Sequence, residues 1–254
     1  MLYYDIDMLM KGWFKMDYSD QYDSVKNSVV QVIEFIHNGA KNDLMSFGTG
    51  VIIGNGQYVL TCNHCVQNVD GNIYIGVRNE NDVDHTVGSI VYSNKVLDIA
   101  IIDLKTKFNE PICASDSDNV KVGNETFVVG YHMASPTVSV LSANIAGFYI
   151  RNGTNYIKID SSVNHGNSGG PLFNKRGELI GIVNTKLGTL SNFLDDVEKI
   201  KPDGYVNMFG IDPIKTIQQL IREMKTNLNL GIGMAIPINI ISSAINQVCK
   251  INFI

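Results

Sequence analysis

Short runs of β-forming residues, in two sets of six, most constrain how this sequence of 254 residues can fold. The first set covers residues 29–35, 49–53, 58–60, 73–77, 86–91 and 99–104, and the second covers residues 125–129, 137–150, 156–159, 171–173, 179–184 and 233–237. Asn-Gly, Asp-Gly or charged turns separate many of these runs. Because a closed sheet leaves no exposed edge, the pattern predicts an all-β fold of two antiparallel six-stranded barrels.

The rest of the chain is assigned around those two barrels. We expect the first barrel within residues 22–112 and the second within residues 113–237, with an N-terminal segment rich in aromatic residues at 1–21. Residues 189–230 interrupt the second barrel as an insertion, and apolar residues at helical spacing predict a helix at 213–228. Residues 238–254 follow as a C-terminal helical segment, with Asn239 expected to cap its helix.

Composition and charge restrict the partners. A hydrophobic content of 44% is enough for a sizeable core. The net charge of −5 gives no electrostatic reason to expect binding to nucleic acid or to an anionic membrane. No apolar run approaches the roughly 18 residues of a membrane span. The N-terminus carries acidic residues where a signal peptide needs a basic region, so the sequence by itself predicts a cytoplasmic protein.

A glycine-rich run around Ser168 has the composition of a nucleophile loop. Residues 164–172 read Asn-His-Gly-Asn-Ser-Gly-Gly-Pro-Leu. A serine hydroxyl needs a base to take its proton and N–H groups to bind the oxyanion that its attack creates. The glycines permit a tight turn in which the backbone N–H groups of Gly166 and Ser168 point at one spot, with the N–H of Asn167 as a third candidate donor.

A base and an orienting acid occur earlier in the chain. His64 directly follows an apolar strand, and Asp98 directly precedes another. The order His, Asp, Ser is that of chymotrypsin-like proteases. Residues 166–170 also fit the Gly-x-Ser-x-Gly elbow of α/β-hydrolases, but that fold needs its histidine after the serine. All five histidines precede Ser168, which excludes that fold.

Five separated segments, in order, resemble a trypsin-like serine protease of the HtrA (Deg) type. They are Gly-Thr-Gly-Val-Ile-Ile at 48–53 with Thr61 to Val66, Leu-Asp-Ile-Ala-Ile-Ile at 97–102, residues 161–172, Gly-Glu-Leu-Ile-Gly-Ile at 177–182, and Gly-Ile-Gly-Met-Ala-Ile-Pro at 231–237. The resemblance covers roughly residues 22–240. It implies chymotrypsin-like Greek-key barrels, with the site in the cleft between them.

The resemblance also implies a role for each site residue. His64, Asp98 and Ser168 form the expected catalytic triad of a serine endopeptidase that acts on proteins or peptides. Ser162 is expected at the base of the substrate pocket, where a neutral side chain favours uncharged, apolar P1 residues. We expect His165 at the pocket rim or capping a turn, and Asn184 in the loop that lines the substrate channel.

No metal or other cofactor is expected. Cys62 and Cys65 flank His64, which raises the possibility of zinc. Zinc would, however, occupy the imidazole that catalysis needs, and no second pair of ligands follows at zinc-finger spacing.

Several alternatives stay open. The fold could serve as a catalytically idle binding module or as a single-site processing protease. Exported HtrA-type relatives commonly trimerise through N-terminal aromatic residues, so residues 1–21 either form a homo-oligomer contact or fold back on the chain. The resemblance also favours export over a cytoplasmic location. Such proteins usually continue into a PDZ domain, for which we expect no room here, and the insertion at 189–230 either controls the cleft or pads the barrel.

Overall fold

The structure, a computed structural model, describes residues 17–37, 39, 42–66, 73–80, 82–132, 135–185, 210, 212–227 and 231–246. Twelve strands within these residues form two closed antiparallel barrels, which confirms the predicted fold class. Both barrels have the same topology. In each, the first three strands are neighbours in sequence order and so are the last three, while the third strand pairs with the sixth and the first with the fourth.

The first barrel has the strand order β1-β2-β3-β6-β5-β4. Its strands are β1 (Val29–His37), β2 (Asn42–Ile53), β3 (Tyr58–Cys62), β4 (Ile73–Arg78), β5 (Thr86–Asn94) and β6 (Ile99–Asp103). All five residues of β6 are buried, in agreement with its continuous apolar sequence. The start of β2 is exposed and extends the hairpin with β1 beyond the barrel wall.

The second barrel has the strand order β10-β11-β12-β9-β8-β7. Its strands are β7 (Glu125–Gly130), β8 (Ser139–Arg151), β9 (Thr154–Ile159), β10 (Pro171–Asn174), β11 (Leu179–Val183) and β12 (Gly233–Pro237). Strand β11 is fully buried. The residues that follow it, Asn184 and Thr185, lie at the boundary between the two barrels.

Within the described residues, three α-helices lie outside the barrels: α1 (Ser19–Val25), α2 (Pro213–Asn227) and α3 (Ile238–Asn246). Helix α2 agrees with the helical periodicity of the insertion, while residues 189–209 of that insertion fall outside the described residues. The predicted cap of α3 is wrong, because Asn239 is the second residue of the helix. Its side chain accepts from the N–H of Ser117 at 3.2 Å and donates to Asp116 at 2.6 Å.

Both ends of the described chain cross from one barrel to the other. Tyr18, which precedes the first barrel, stacks on Phe127 of β7 with ring centroids 4.7 Å apart, and Phe127 packs on Phe173 of β10 at 5.1 Å. Helix α3 follows the second barrel, and the Ala244 carbonyl accepts a hydrogen bond from the hydroxyl of Tyr92 in β5 at 3.4 Å. Of the predicted N-terminal segment, residues 1–16 fall outside the described residues.

Candidate active site

His64 lies at the edge of the first barrel, in the single 3₁₀ turn Asn63–Cys65 that ends β3. Strand β3 pairs with β2 and β6 on either side, so the turn projects from a fixed point of the wall. Its neighbours Cys62 and Cys65 are fully buried and anchor it. The histidine side chain remains partly accessible, at 12% of its full exposure.

Asp98 binds His64 from the loop that precedes β6. Its Oδ2 lies 2.6 Å from His64 Nδ1, and its Oδ1 accepts from the backbone N–H of His64 at 2.9 Å. The Asp98 carbonyl also accepts from the N–H of Asn63 at 3.0 Å. Asp98 has a φ of 57°, a left-handed conformation that costs a non-glycine residue about 1–3 kcal/mol. The three hydrogen bonds offset that strain and hold the carboxylate against the imidazole.

The environment keeps the Asp98 carboxylate ionised. Burial acts to raise the pKa of Asp98, but hydrogen bonds from His64 and Asn184 and the charge of His64 outweigh it, so the pKa lies below its ordinary value. An ionised carboxylate at Nδ1 fixes the imidazole tautomer with its lone pair on Nε2.

Asn184 lies just after β11 of the second barrel, yet it binds the acid of the first. Its side-chain N–H donates to Asp98 Oδ2 at 2.9 Å, and the residue is only 2% exposed. The expectation that Asn184 lines the substrate channel stays a prediction, and in the structure its side chain is buried against Asp98. It ties the two barrels together at the His64–Asp98 pair.

Ser168 is held at the seam between the barrels by its own backbone and by Gly169. The Ser168 carbonyl accepts from the N–H of Thr49 in β2 at 2.8 Å. Gly169 has a φ of 83°, and a Cβ there would lie 2.1 Å from the Thr49 carbonyl and 2.3 Å from the Thr61 hydroxyl. A side chain would force the barrels apart at this point, so the glycine sets how closely Ser168 approaches the first barrel.

The Ser168 hydroxyl is paired with Thr185. Its Oγ lies 2.6 Å from Thr185 Oγ1 and accepts from the Thr185 N–H at 3.3 Å. Within the described residues these are its hydrogen bonds, and none joins it to His64. Thr185 directly follows Asn184, so two adjacent residues contact Ser168 and Asp98, and this brings all three predicted triad residues into one neighbourhood.

The loop before Ser168 presents two of the three predicted oxyanion donors. Gly166 has a φ of 95°, and its carbonyl accepts from the Thr49 hydroxyl at 2.6 Å. Across the described part of the chain, neither the Gly166 nor the Ser168 N–H has a hydrogen-bond acceptor. The N–H of Asn167 donates to the Asn164 carbonyl at 3.0 Å in this arrangement, and its role as a third oxyanion donor stays a prediction.

Comparison with known proteins agrees with this geometry. Residues 48–182 match the family model of the trypsin-like peptidase domain. The chain belongs to the trypsin-like peptidase family. It is 32% identical over 219 residues to a DegP-like probable periplasmic serine endoprotease of Buchnera aphidicola, an alignment that covers 84% of this chain and 37% of that protein.

Two further relatives place this trypsin-like peptidase domain in the HtrA type. The periplasmic serine endoprotease DegP of Salmonella typhimurium is 31% identical over 222 residues, which cover 84% of this chain and 38% of the relative. The serine endoprotease DegS of Haemophilus influenzae is 29% identical over 163 residues, covering 62% and 46%. The chain therefore spans less than half the length of each of these relatives.

Two residues that are predicted to line the substrate pocket are exposed, and their roles stay predictions. Ser162 and His165 both lie on the surface of the loop that leads to Ser168. Asn167, between them and the nucleophile, is only 1% exposed, and neither atom of its side-chain amide has a hydrogen-bond partner among the described residues. An unpaired buried amide costs about 1–3 kcal/mol, so the loop is not at its best hydrogen-bonded arrangement.

Sequence reasoning missed Thr185 and Thr49. Thr185 follows the recognised Asn184, but a pattern does not tell which way the hydroxyl of a loop residue points. Thr49 lies inside one of the motifs that resemble the family, where it reads as an ordinary strand residue. In the structure its hydroxyl donates to Gly166 and accepts from the N–H of Tyr131 at 2.9 Å, which anchors the loop before Ser168.

The two cysteines beside His64 point in different directions. Cys62 Sγ lies with His64 and Asp98 in a cluster whose candidate ligand atoms are all within 4.8 Å of one another. Cys65 Sγ instead faces the Ser168 carbonyl at 3.7 Å. The two thiols therefore do not act as a pair.

As for membranes, none of the helices within the described residues has the length and apolar character needed to cross a bilayer.

Proposed function

We propose that this chain is a serine endopeptidase whose triad is His64, Asp98 and Ser168. The observation that carries the proposal is the His64–Asp98 hydrogen bond of 2.6 Å, joined to Ser168 through the adjacent residues Asn184 and Thr185. Membership of the trypsin-like peptidase family and similarity to DegP and DegS proteases support the same conclusion.

Each group has a defined task in the proposed reaction. His64 Nε2 removes the proton of the Ser168 hydroxyl as Ser168 Oγ attacks the peptide carbonyl, and His64 then returns that proton to the leaving amine. Asp98, kept ionised, stabilises the imidazolium between these steps. The unoccupied N–H groups of Gly166 and Ser168 bind the oxyanion. Water then hydrolyses the acyl-enzyme by the same route.

The Ser168 hydroxyl has to leave Thr185 before it can give its proton to His64. We infer that rotation about the Ser168 Cα–Cβ bond exchanges the two partners, because a serine side chain has three staggered rotamers. The hydrogen bond to Thr185 is thus a resting arrangement, and the bond to His64 belongs to the reacting one. Catalytic hydrogen bonds often tighten only when substrate binds.

The substrates proposed for this site are proteins or peptides with an uncharged, apolar P1 residue. Ser162 offers no charge to a lysine or arginine side chain, and burying an unpaired cation is costly. A peptide library cut mainly after lysine or arginine would contradict this preference.

The descriptions of the relatives support a cellular location for this protein. Two of the relatives are described as periplasmic, which supports export over the cytoplasmic location predicted from the N-terminus. Fractionation of cells that express the chain from its own gene, with immunoblotting of each fraction, tests this choice.

Labelling with a fluorophosphonate probe tests the proposed function. We expect wild-type protein to be labelled at Ser168 and to cleave casein, and Ser168→Ala to lose both, with kcat lower by about 10⁶-fold. Ser142→Ala, at an exposed position of β8, is the matched control and should keep both activities. Labelling at another serine would contradict the triad. A folded wild-type protein without labelling or cleavage would favour the binding-module alternative.

A further inference from the structure

We propose that Cys62, His64 and Asp98 form an inhibitory binding site for Zn²⁺. The inference starts from their juxtaposition, in which one thiol sulfur, one imidazole nitrogen and one carboxylate oxygen all lie within 4.8 Å of one another. These are the three ligand types that zinc prefers in proteins. Zinc competes with catalysis for His64, and that competition is what makes the site inhibitory.

The distances need only a small adjustment. In a tetrahedral zinc site, bond lengths of about 2.0–2.3 Å place the ligand atoms roughly 3.3–3.6 Å apart. The contact between His64 Nδ1 and Asp98 Oδ2 is 2.6 Å, so it has to open by about 0.7 Å. The Cys62 Sγ lies within 4.8 Å of the other two ligand atoms, so it has to approach them by no more than about 1.5 Å.

The charges of the site suit a divalent cation. A zinc-bound cysteine is a thiolate and a zinc-bound aspartate is a carboxylate, so the two negative charges neutralise Zn²⁺. Neutrality matters here because Cys62 is fully buried and an unbalanced charge would be expensive. Binding costs Cys62 its thiol proton and with it the hydrogen bond to the Val183 carbonyl at 3.3 Å.

The cluster is open to solvent on one side. The side chains of His64 and Asp98 keep 12% and 21% of their exposure, so an ion can enter from the cleft. Cys65, the other cysteine of the turn, does not contribute because its sulfur faces the Ser168 carbonyl. The predicted site therefore has three protein ligands and one open position.

Zinc at Nδ1 would stop the proposed proton transfer. The Nδ1 lone pair then binds the metal, the hydrogen bond to Asp98 breaks, and the single ring proton lies on Nε2. An imidazole in this tautomer has no lone pair on Nε2 to accept the proton of Ser168, so Ser168 loses its base. Inhibition thus rests on the proposed function, whereas metal binding does not.

Metal binding is tested first in protein that has no nucleophile. In Ser168→Ala protein, titration against a chromophoric zinc indicator should show one site. Adding Cys62→Ser should weaken zinc binding by about 100-fold or more, because a hydroxyl is a poor zinc ligand. Cys65→Ser in the same background is the matched control and should bind as tightly as its parent, with circular dichroism to verify folding.

Cobalt provides a second measurement. Co²⁺ at the site should give a thiolate-to-cobalt charge-transfer band that Cys62→Ser removes and Cys65→Ser keeps. Absence of zinc binding in the Ser168→Ala protein, or binding that survives Cys62→Ser, would overturn the proposal.

Activity then tests the inhibition. Zinc should lower the kcat of wild-type protein on a peptide substrate, and a chelator should restore it. Full activity with the site saturated by zinc would overturn the inhibitory role. A wild-type protein without activity before metal is added, but with Cys62-dependent zinc binding, would support the site and contradict the proposed endopeptidase function.

Discussion

The two barrels differ in how completely the hydrogen bonds of their proposed catalytic residues are formed. The first barrel presents His64 and Asp98 as a pair fixed by two mutual hydrogen bonds. The second barrel presents Ser168 with its hydroxyl on Thr185, next to Asn167, whose buried amide has no hydrogen-bond partner among the described residues. The base is therefore organised in advance, while the nucleophile loop has hydrogen bonds still to make or exchange. Control of activity is expected to act on the second barrel.

The largest expected effect on kcat comes from disrupting the His64–Asp98 pair of the first barrel. Asp98→Asn keeps the shape of the side chain but removes its charge and favours the wrong imidazole tautomer, so kcat should fall by about 10⁴-fold. Asp103→Asn is the matched control, because Asp103 lies in the same barrel but binds Gln57 and Lys105 instead. Steady-state kinetics on one peptide would measure both. Equal losses for the two variants would contradict the role of Asp98.

An intermediate effect on kcat is expected at Asn184, where the two barrels meet. Asn184→Ala removes a hydrogen bond to the charged Asp98, worth about 1.5–3 kcal/mol, so kcat should fall by roughly 10- to 100-fold. KM should change little, because the amide is buried against Asp98 and not exposed to substrate. A rise in KM at constant kcat would instead support the substrate-channel role expected from the sequence.

The smallest effect should come from the Ser168 side of the site in the second barrel, and it should be an increase in the reactivity of Ser168. Thr185→Val removes the hydroxyl that holds Ser168 Oγ and leaves the shape nearly unchanged. Since one such hydrogen bond contributes about 0.5–1.5 kcal/mol, the rate of fluorophosphonate labelling should rise roughly two- to tenfold. Thr185→Ser keeps the hydroxyl and should label like wild type.

A slower Thr185→Val protein would reverse this interpretation. Thr185 would then hold Ser168 in its reacting position, and the two barrels would be equally prepared.

The fold could be predicted from the sequence because the pattern of residues that forms a strand is local. All twelve strands were predicted near their observed positions, and β2 is longer than predicted because its first residues are exposed and lack an apolar face. The neighbourhood of His64, Asp98 and Ser168 follows from motif order. The partners of Asn184 and Cys62 could not be predicted, because each depends on how a side chain at the end of a strand meets the opposite barrel. The partner of Thr185 could not be predicted either, because it depends on how two loops of the second barrel meet.

The crossed ends of the chain bear on how the molecule folds. Tyr18 reaches forward onto Phe127, and α3 reaches back to Tyr92, so each barrel is partly covered by a segment that belongs to the other end of the chain. Contacts between residues so far apart in sequence form late and slow the search for the native state. They also couple the halves energetically. Heating should therefore unfold both barrels in a single calorimetric transition, although each barrel is a closed sheet.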